Sequence, residues 1–348
     1  MKGLVKFARG EGHLEIREIA DPRAGEQEVV IQVKAAGICG SDLHIYKDDV
    51  PWPLAIPVVI GHEFSGVIAE VGNGVHGLQN GDRVTAETAF EVCGDCVLCR
   101  TGRYNLCAAR HGIGYLHHGA FADKVVVPAT RIHRLPDTLS FVDAALLEPL
   151  ACVVHGVIES TVIEPGDWVL VSGVGAIGLL AAQVARTRGG KVILTCLLRD
   201  EMRAKTARTL GFDTIITADK ELLYDRIAEV VGPDGVDVVI ECSGSTEAVA
   251  AGLRVVKRGG CYLQMGLLGR PATIDIDQIG FKELRVSGSS GQRWTAWRRA
   301  ISLLASNMVQ THPLISDILS LEDWHKGFTK ALAKEALKVV LVPGERNP

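Results

Sequence analysis

A chain of 348 residues is more than twice the usual domain length, so it predicts about two domains with separate cores and excludes a single small module. Hydrophobic residues make up 47% and charged residues 22%, a balance that excludes a disordered or fibrous protein. Lys and Arg total 37 against 41 Asp and Glu, a formal charge of −4, which gives no cationic field for a nucleic-acid backbone.

No apolar run reaches the roughly 18 residues needed to cross a bilayer, and MKGLVKFARGEGHLEI turns charged before a signal-peptide core forms. The expectation is a cytoplasmic protein with neither a nucleic-acid nor a membrane partner. The N-terminal stretch carries short β-type runs, such as Glu28 to Ala36 and Phe64 to Val71, broken by Gly, Pro and Asn-Gly. It reads as an irregular, mainly β domain. Of nine cysteines, Cys93, Cys96, Cys99 and Cys107 crowd together, which in a reducing compartment suggests metal rather than disulfides.

From about Asp167, short apolar strands alternate with helical stretches, the signature of parallel βαβ units. The predicted strands are Trp168 to Val171, Val192 to Thr195, Thr214 to Ile216, Val236 to Glu241, Cys261 to Met265 and Leu284 to Ser287. The predicted helices are Ala176 to Arg188, Glu201 to Leu210, Glu221 to Val230 and Thr246 to Val256. After Gly288 the alternation stops. Amphipathic helices around Trp294 to Ser306 and Leu321 to Ala333 precede a last strand, Lys338 to Val342, and this tail is expected to return to the first domain. The two parts are expected to pack closely around a ligand cleft.

Ser172-Gly173-Val174-Gly175-Ala176-Ile177-Gly178 follows a predicted strand and opens a predicted helix. In that setting Gly173 permits the tight turn, Gly175 lets backbone approach a pyrophosphate, and Gly178 lets helix and sheet pack closely. The helix N-terminus then faces the anion. The next strand ends Leu194-Thr195-Cys196-Leu197-Leu198, without the acid that would bind a ribose 2′-hydroxyl. Arg199 and Arg203 could pair with a 2′-phosphate, whereas Asp200 could reach a ribose, so NAD and NADP both stay open. The bland alternative is that these residues solvate a helix start.

Cys93, Cys96, Cys99 and Cys107 supply thiolates with two-residue gaps that let neighbouring sulfurs wrap one ion. Four thiolates leave no open position, so such a site is structural. A second set is dispersed: Cys39 heading Cys39-Gly40-Ser41-Asp42-Leu43-His44, then Gly61-His62-Glu63, then Glu148-Pro149. Taken singly, each is better explained by a buried thiol, a core histidine or a solvated carboxylate than by catalysis. The other histidines, including His117, His118 and His155, have no spacing that demands a metal and read as structural or substrate-lining. Trp294 and Trp297, near the start of the penultimate helix, could line a pocket or an interface, with core packing the favoured reading.

Gly61-His62-Glu63-x2-Gly66-x5-Gly72 resembles the zinc signature of the medium-chain alcohol dehydrogenase family. The Cys39 to His44 stretch, the cysteine lobe, the glycine turn and Asp237 to Gly244 match the same family in its order. Glu148-Pro149-Leu150 resembles the sorbitol (polyol) branch. Threonine dehydrogenases typically carry Asp-Pro-x-Gly-Asn there, so polyol ranks above threonine. The resemblance implies an α/β protein: a doubly wound Rossmann sheet plus a mainly β GroES-like catalytic domain. It places the catalytic domain at 1–151 and 289–348, with a zinc lobe at about 91–108, and the coenzyme domain at 152–288, with Ser243 among the coenzyme contacts.

It further implies one catalytic and one structural zinc per chain, with NAD or NADP. Cys39, His62 and Glu63 would surround the catalytic zinc, with Glu148 ligating it or holding its water. An open zinc position lowers the pKa of bound water from 15.7 to about 7, and the same acidity would serve a substrate hydroxyl. By analogy Ser41 accepts the proton, which passes through the coenzyme ribose to His44 and solvent; a solvated helix-end role for His44 is the alternative. The expected enzyme transfers hydride between a secondary alcohol of a polyol or sugar alcohol and NAD(P), as a homo-oligomer, tetramer or dimer. Threonine 3-dehydrogenase and polyol-phosphate dehydrogenase are the alternatives, and a non-catalytic dinucleotide-binding protein is the reading from another class.

Overall fold

A computed structural model describes residues 1–219 and 222–344. It divides into two compact units, residues 1–149, 292–305 and 315 onward forming the first, and 150–291 with 306–314 the second.

The first unit is built on a seven-stranded sheet. Across it run Ile132–Arg134, Arg83–Ala86, Glu63–Val71, Glu28–Gly37, Lys338–Val342 and Ile315–Ser320, with Lys124–Pro128 also paired to Glu28–Gly37. The β-branched run Val29, Val30, Ile31 and Val33 suits a central strand covered on both faces. Its core gathers Ile31, Ile45, Ile60, Phe64, Ile68, Phe121, Phe328 and Leu341. Register matters for function: Gly37 lies opposite Glu63 on one side and opposite Val340 on the other. Residues more than 270 positions apart therefore meet beside one strand end.

The second unit holds a six-stranded, all-parallel sheet in the order Ile215–Thr217, Lys191–Cys196, Trp168–Ser172, Val236–Glu241, Val256–Gln264, Arg285–Gly288. In chain order this is 3-2-1-4-5-6, the doubly wound dinucleotide-binding arrangement. Leu170, Ile193, Val239 and Tyr262 fill its core.

All six expected strands of this sheet form, although Val256–Gln264 starts five residues before the expected Cys261, directly after helix Thr246–Val255. Helix Leu223–Val231 stands where Glu221 to Val230 was expected; Glu221 itself lies outside the described residues. The expected helix Leu321 to Ala333 is a 3₁₀ turn, Leu321–Asp323, followed by Trp324–Leu332, because Ser320 caps the first piece by accepting Asp323 N–H. Strand Ile315–Ser320 was not foreseen. The tail also differs from a continuous 289–348 segment. Residues 306–314 pack with the second unit, where the Gln183 side chain donates to Gln310 O at 3.0 Å and accepts Gln310 N–H at 2.8 Å.

Candidate active site and metal centres

Cys39 caps helix Gly40–Lys47, and the Asp42 carboxylate accepts the Cys39 N–H at 2.9 Å, fixing the turn that presents the sulfur. His62 and Glu63 arrive at the start of strand Glu63–Val71, and strand register sets Glu63 against Gly37. The result is that ligand atoms of Cys39, His62 and Glu63 lie within 4.8 Å of one another. His62 and Glu63 are buried, and Cys39 is half-buried.

The electrostatics of this cluster fit a cation. Burial opposes charge on His62, yet the Cys39 sulfur, Asp42 and Glu148 together push the ring up to about 10. Acidic neighbours that outweigh burial in this way favour positive charge at that spot. Asp42 is fully buried with Oδ1 unpartnered, 3.8 Å from His62 Nδ1, and burial raises its carboxyl against the opposing pull of His62 and the Cys39 N–H. Both Glu63 oxygens accept from the Lys338 ammonium, which also donates to Ile38 O at 3.0 Å.

Glu148 stands outside that group of three. It is buried, its Oε1 accepts from Gln292 Nε2 at 2.8 Å, and burial with the Glu63 charge raises its carboxyl while His62 and Lys338 oppose. Ser41 is joined to the cluster through Tyr115, whose hydroxyl donates to Ser41 Oγ at 3.1 Å and lies 3.3 Å from His62 Nδ1. His44 points elsewhere: its exposed ring pairs with Asp49 at 2.8 Å.

Cys93, Cys96, Cys99 and Cys107 converge in one lobe, their sulfurs within 4.8 Å of each other. The Cys93–Cys107 and Cys93–Cys99 separations are 3.5 and 3.9 Å. Four sulfurs at about 2.3 Å from a tetrahedral zinc stand about 3.8 Å apart, whereas a disulfide needs about 2.05 Å. The N–H groups of Cys96 and Asp95 pull Cys93 down to about 6, favouring the thiolate that ligation requires.

In the second unit, Gly173 has φ +99°, and helix Ala176–Thr187 begins at Gly175 with no side-chain cap on its N–H groups. A Cβ on Gly178 would fall 1.9 Å from Gly173 O, so the helix can approach only as glycine permits. A Cβ on Gly175 would meet nothing within 4 Å, which is the open space a pyrophosphate approach requires. Val174 is buried, while Ala176 and Ile177 are half-buried in the first helical turn. Ser243 packs against Gly173 and is held by the buried Glu241 carboxylate, which accepts Ser243 N–H at 2.7 Å and Gln264 Nε2 at 2.8 Å. Cys196 ends the strand where a ribose-binding acid would stand; Asp200 accepts Leu197 N–H at 3.1 Å and lies 3.9 Å from Arg203, leaving exposed Arg199 beyond them.

Sequence reasoning did not single out Lys338, Tyr115, Gln292 or Glu241. No local motif marks them; each acts on a partner far along the chain except Glu241, which the matched stretch Asp237 to Gly244 contained without assigning it a role.

Residues 25–137 match the alcohol dehydrogenase GroES-like domain family and 176–306 the zinc-binding dehydrogenase family. The chain is 41% identical to a sorbitol dehydrogenase of Halalkalibacterium halodurans, over 99% of each chain. It is 38% identical both to a D-arabitol-phosphate dehydrogenase of Enterococcus avium, covering 100% and 98%, and to an L-threonine 3-dehydrogenase of Bacillus velezensis, covering 99% of each. A solved zinc-binding dehydrogenase of Sinorhizobium meliloti bound to NADP superimposes with TM-score 0.90 at 34% identity, covering 98% of this chain and 99% of that one. Fold and site together define a zinc-type oxidoreductase of the α/β class. The chain belongs to the zinc-dependent medium-chain alcohol dehydrogenase family, and its cofactors are those of the family, zinc and NAD(P).

Proposed function

We propose that this enzyme oxidises a secondary hydroxyl of a polyol or sugar alcohol to a ketone with NAD(P), and runs the reverse reduction. The observation that carries this reading is the convergence of Cys39, His62 and Glu63 on one buried spot, with Ser41 tied to it through Tyr115. Cys39, His62 and one carboxylate, Glu63 or Glu148, would hold the zinc, which would supply Lewis acidity to an aliphatic hydroxyl, and the nicotinamide would supply the hydride acceptor. The chain's own residues then handle binding and the proton. Ser41 accepts the hydroxyl proton at Oγ and gives up its own while Tyr115 holds that oxygen in place; the coenzyme ribose would bridge to the exposed His44–Asp49 pair, which releases the proton to solvent. Lys338 holds Glu63, and Gln292 holds Glu148, so neither carboxylate turns away. Cys93, Cys96, Cys99 and Cys107 hold the structural zinc.

The polyol class is supported by the resemblance of Glu148-Pro149-Leu150 to the sorbitol branch and by the 41% identity to a sorbitol dehydrogenase. In the second unit, Gly173 to Gly178 and Ser243 cradle the coenzyme. We further infer that the coenzyme is NADP: Cys196 offers no bidentate acceptor for a ribose, and Asp200 is engaged by Leu197 N–H and Arg203. Exposed Arg199 suits a 2′-phosphate. The chain works in the cytoplasm as a homo-oligomer, tetramer or dimer, for which exposed Ile276, Phe281 and Val286 on the second unit provide apolar surface; light scattering reads its mass directly.

The deciding experiment is a panel of sugar alcohols, their phosphates and threonine, each with NAD and NADP. Oxidation of unphosphorylated polyols supports the proposal. Activity confined to threonine or to phosphates overturns the substrate class, and inertness of a zinc-loaded protein with bound coenzyme favours a non-catalytic role.

A further inference from the structure

Apart from the centres above, the described residues contain another convergence of metal-ligating side chains, on the hairpin that leads into the cysteine lobe. Strand Ala89–Glu91 pairs with His111–Gly112, and their register sets Glu91 directly opposite His111. The chain then makes a tight turn. Leu116 and His117 N–H donate to Gly112 O at 3.1 and 3.3 Å, and Gly114 N–H donates to His117 O at 2.9 Å. This closure returns His117 to the same face, where its ring stacks on Phe90 at a centroid distance of 3.9 Å and an angle of 14°. A stacked ring has little freedom to turn, so its nitrogen is aimed before any ligand arrives.

The three side chains share one carboxylate between two imidazoles. His111 Nδ1 lies 2.8 Å from Glu91 Oε2, and His117 Nε2 lies 3.6 Å from Glu91 Oε1. Ligand atoms of all three fall within 4.8 Å of one another. Nitrogen and oxygen donors at about 2.0–2.2 Å from a tetrahedral ion stand about 3.3–3.6 Å apart, so small side-chain adjustments suffice. A second observation points the same way. His117 Nε2 is shielded from solvent yet has no hydrogen-bond partner, an unsatisfied polar atom directed at the shared carboxylate. A hydrogen-bonded His111–Glu91 pair explains two of the residues but leaves that nitrogen without a role. Glu91 and His111 are about half exposed, which gives an ion an entry path and leaves room for water at a remaining position.

We propose that Glu91, His111 and His117 form a third metal site, for a late first-row divalent cation such as zinc, bound by two imidazoles and one carboxylate. That donor set suits zinc, nickel or copper better than calcium or magnesium. The site stands whether or not the substrate class proposed above is right. Its place in the fold gives it a consequence: the ion staples both ends of the turn that carries Tyr115, whose hydroxyl reaches Ser41 and His62.

The test is calorimetric titration of Zn²⁺ into the holoenzyme already saturated at its family sites, with metal content read by mass spectrometry after dialysis. The expected result is one further zinc per chain. His117→Ala and Glu91→Gln should each weaken that binding by at least about tenfold, since even losing an outer partner of a ligand costs that much. Retention of zinc by Cys93, Cys96, Cys99 and Cys107 reports that each variant has folded, and Glu91→Gln, which keeps the side-chain volume, decides the matter if His117→Ala does not fold. No extra zinc in the wild type overturns the proposal. So does extra zinc that both folded variants bind as tightly, or that His76→Ala, outside the cluster, abolishes instead.

Discussion

Replacing Lys338 by Met tests the electrostatic frame of the catalytic cluster most directly. The Lys338 and Glu63 side chains are only 6% and 1% exposed, and the ammonium contacts both carboxylate oxygens. Methionine keeps the volume and removes the charge, leaving the Glu63 carboxyl buried without its partner. Breaking a buried pair from one side costs about 3–5 kcal/mol. For a unit of about 200 residues such as the first, each kcal/mol moves the midpoint by about 2–4 °C, so thermal unfolding followed by circular dichroism should show a drop of about 6–20 °C in that unit's transition. Two further measurements separate this cause from lost packing. The double variant Glu63→Gln/Lys338→Met should recover much of the loss, because no uncompensated charge remains. Adding zinc should also narrow the gap between Lys338→Met and the wild type, since a cation near Glu63 replaces the missing ammonium. A Lys338→Met protein that melts within about 1 °C of the wild type, with or without zinc, would refute the reasoning.

Ser41→Ala should lower turnover by about 10²–10⁴-fold, the usual worth of a positioned proton acceptor, with zinc content unchanged; an unaffected rate removes Ser41 from the mechanism. Gly178→Ala and Gly175→Ala should behave oppositely. The first forces a Cβ to 1.9 Å from Gly173 O and should lower the melting temperature, while the second meets no protein atom and should melt normally but bind coenzyme more weakly, as fluorescence titration would show. Arg199→Ala should reduce kcat/KM for NADP by about tenfold, as expected for a lost charge-assisted contact, and leave NAD untouched. Cys107→Ser should lose one zinc per chain by mass spectrometry, because the remaining sulfurs cannot close a tetrahedron.

The parallel sheet was legible because Val236 to Glu241 and its neighbours are continuous apolar runs separated by helical periods, and buried strands leave that trace. The cysteine lobe was legible because its donors are local: gaps of two residues already place sulfurs around a point. Strand Ile315–Ser320 was not, since Asp317 and two serines break its apolar pattern and its pairing with Lys338–Val342 is long-range. The same reason hides the supports of the site. Lys338 meets Glu63 across 275 positions, Gln292 meets Glu148 across 144, and Tyr115 meets Ser41 across 74. Such pairings follow from sheet register and loop closure, which no short window contains. His117 shows the same lesson, for its spacing to Glu91 and His111 suggested nothing until the turn after Gly112 folded it back. The pairing of His44 with Asp49 was hidden as well, since residue type alone does not tell which way a helix-end side chain faces.

Because the ammonium that balances Glu63 lies 275 positions downstream, a ribosome exposes the Cys39, His62 and Glu63 trio long before its counterion has been synthesised. Until then Glu63 must stay in water, because burying it without that ammonium would leave a lone charge desolvated. Completion of the strand from Lys338 to Val342 closes that interval, so truncated products lacking it should fail both in shape and in charge.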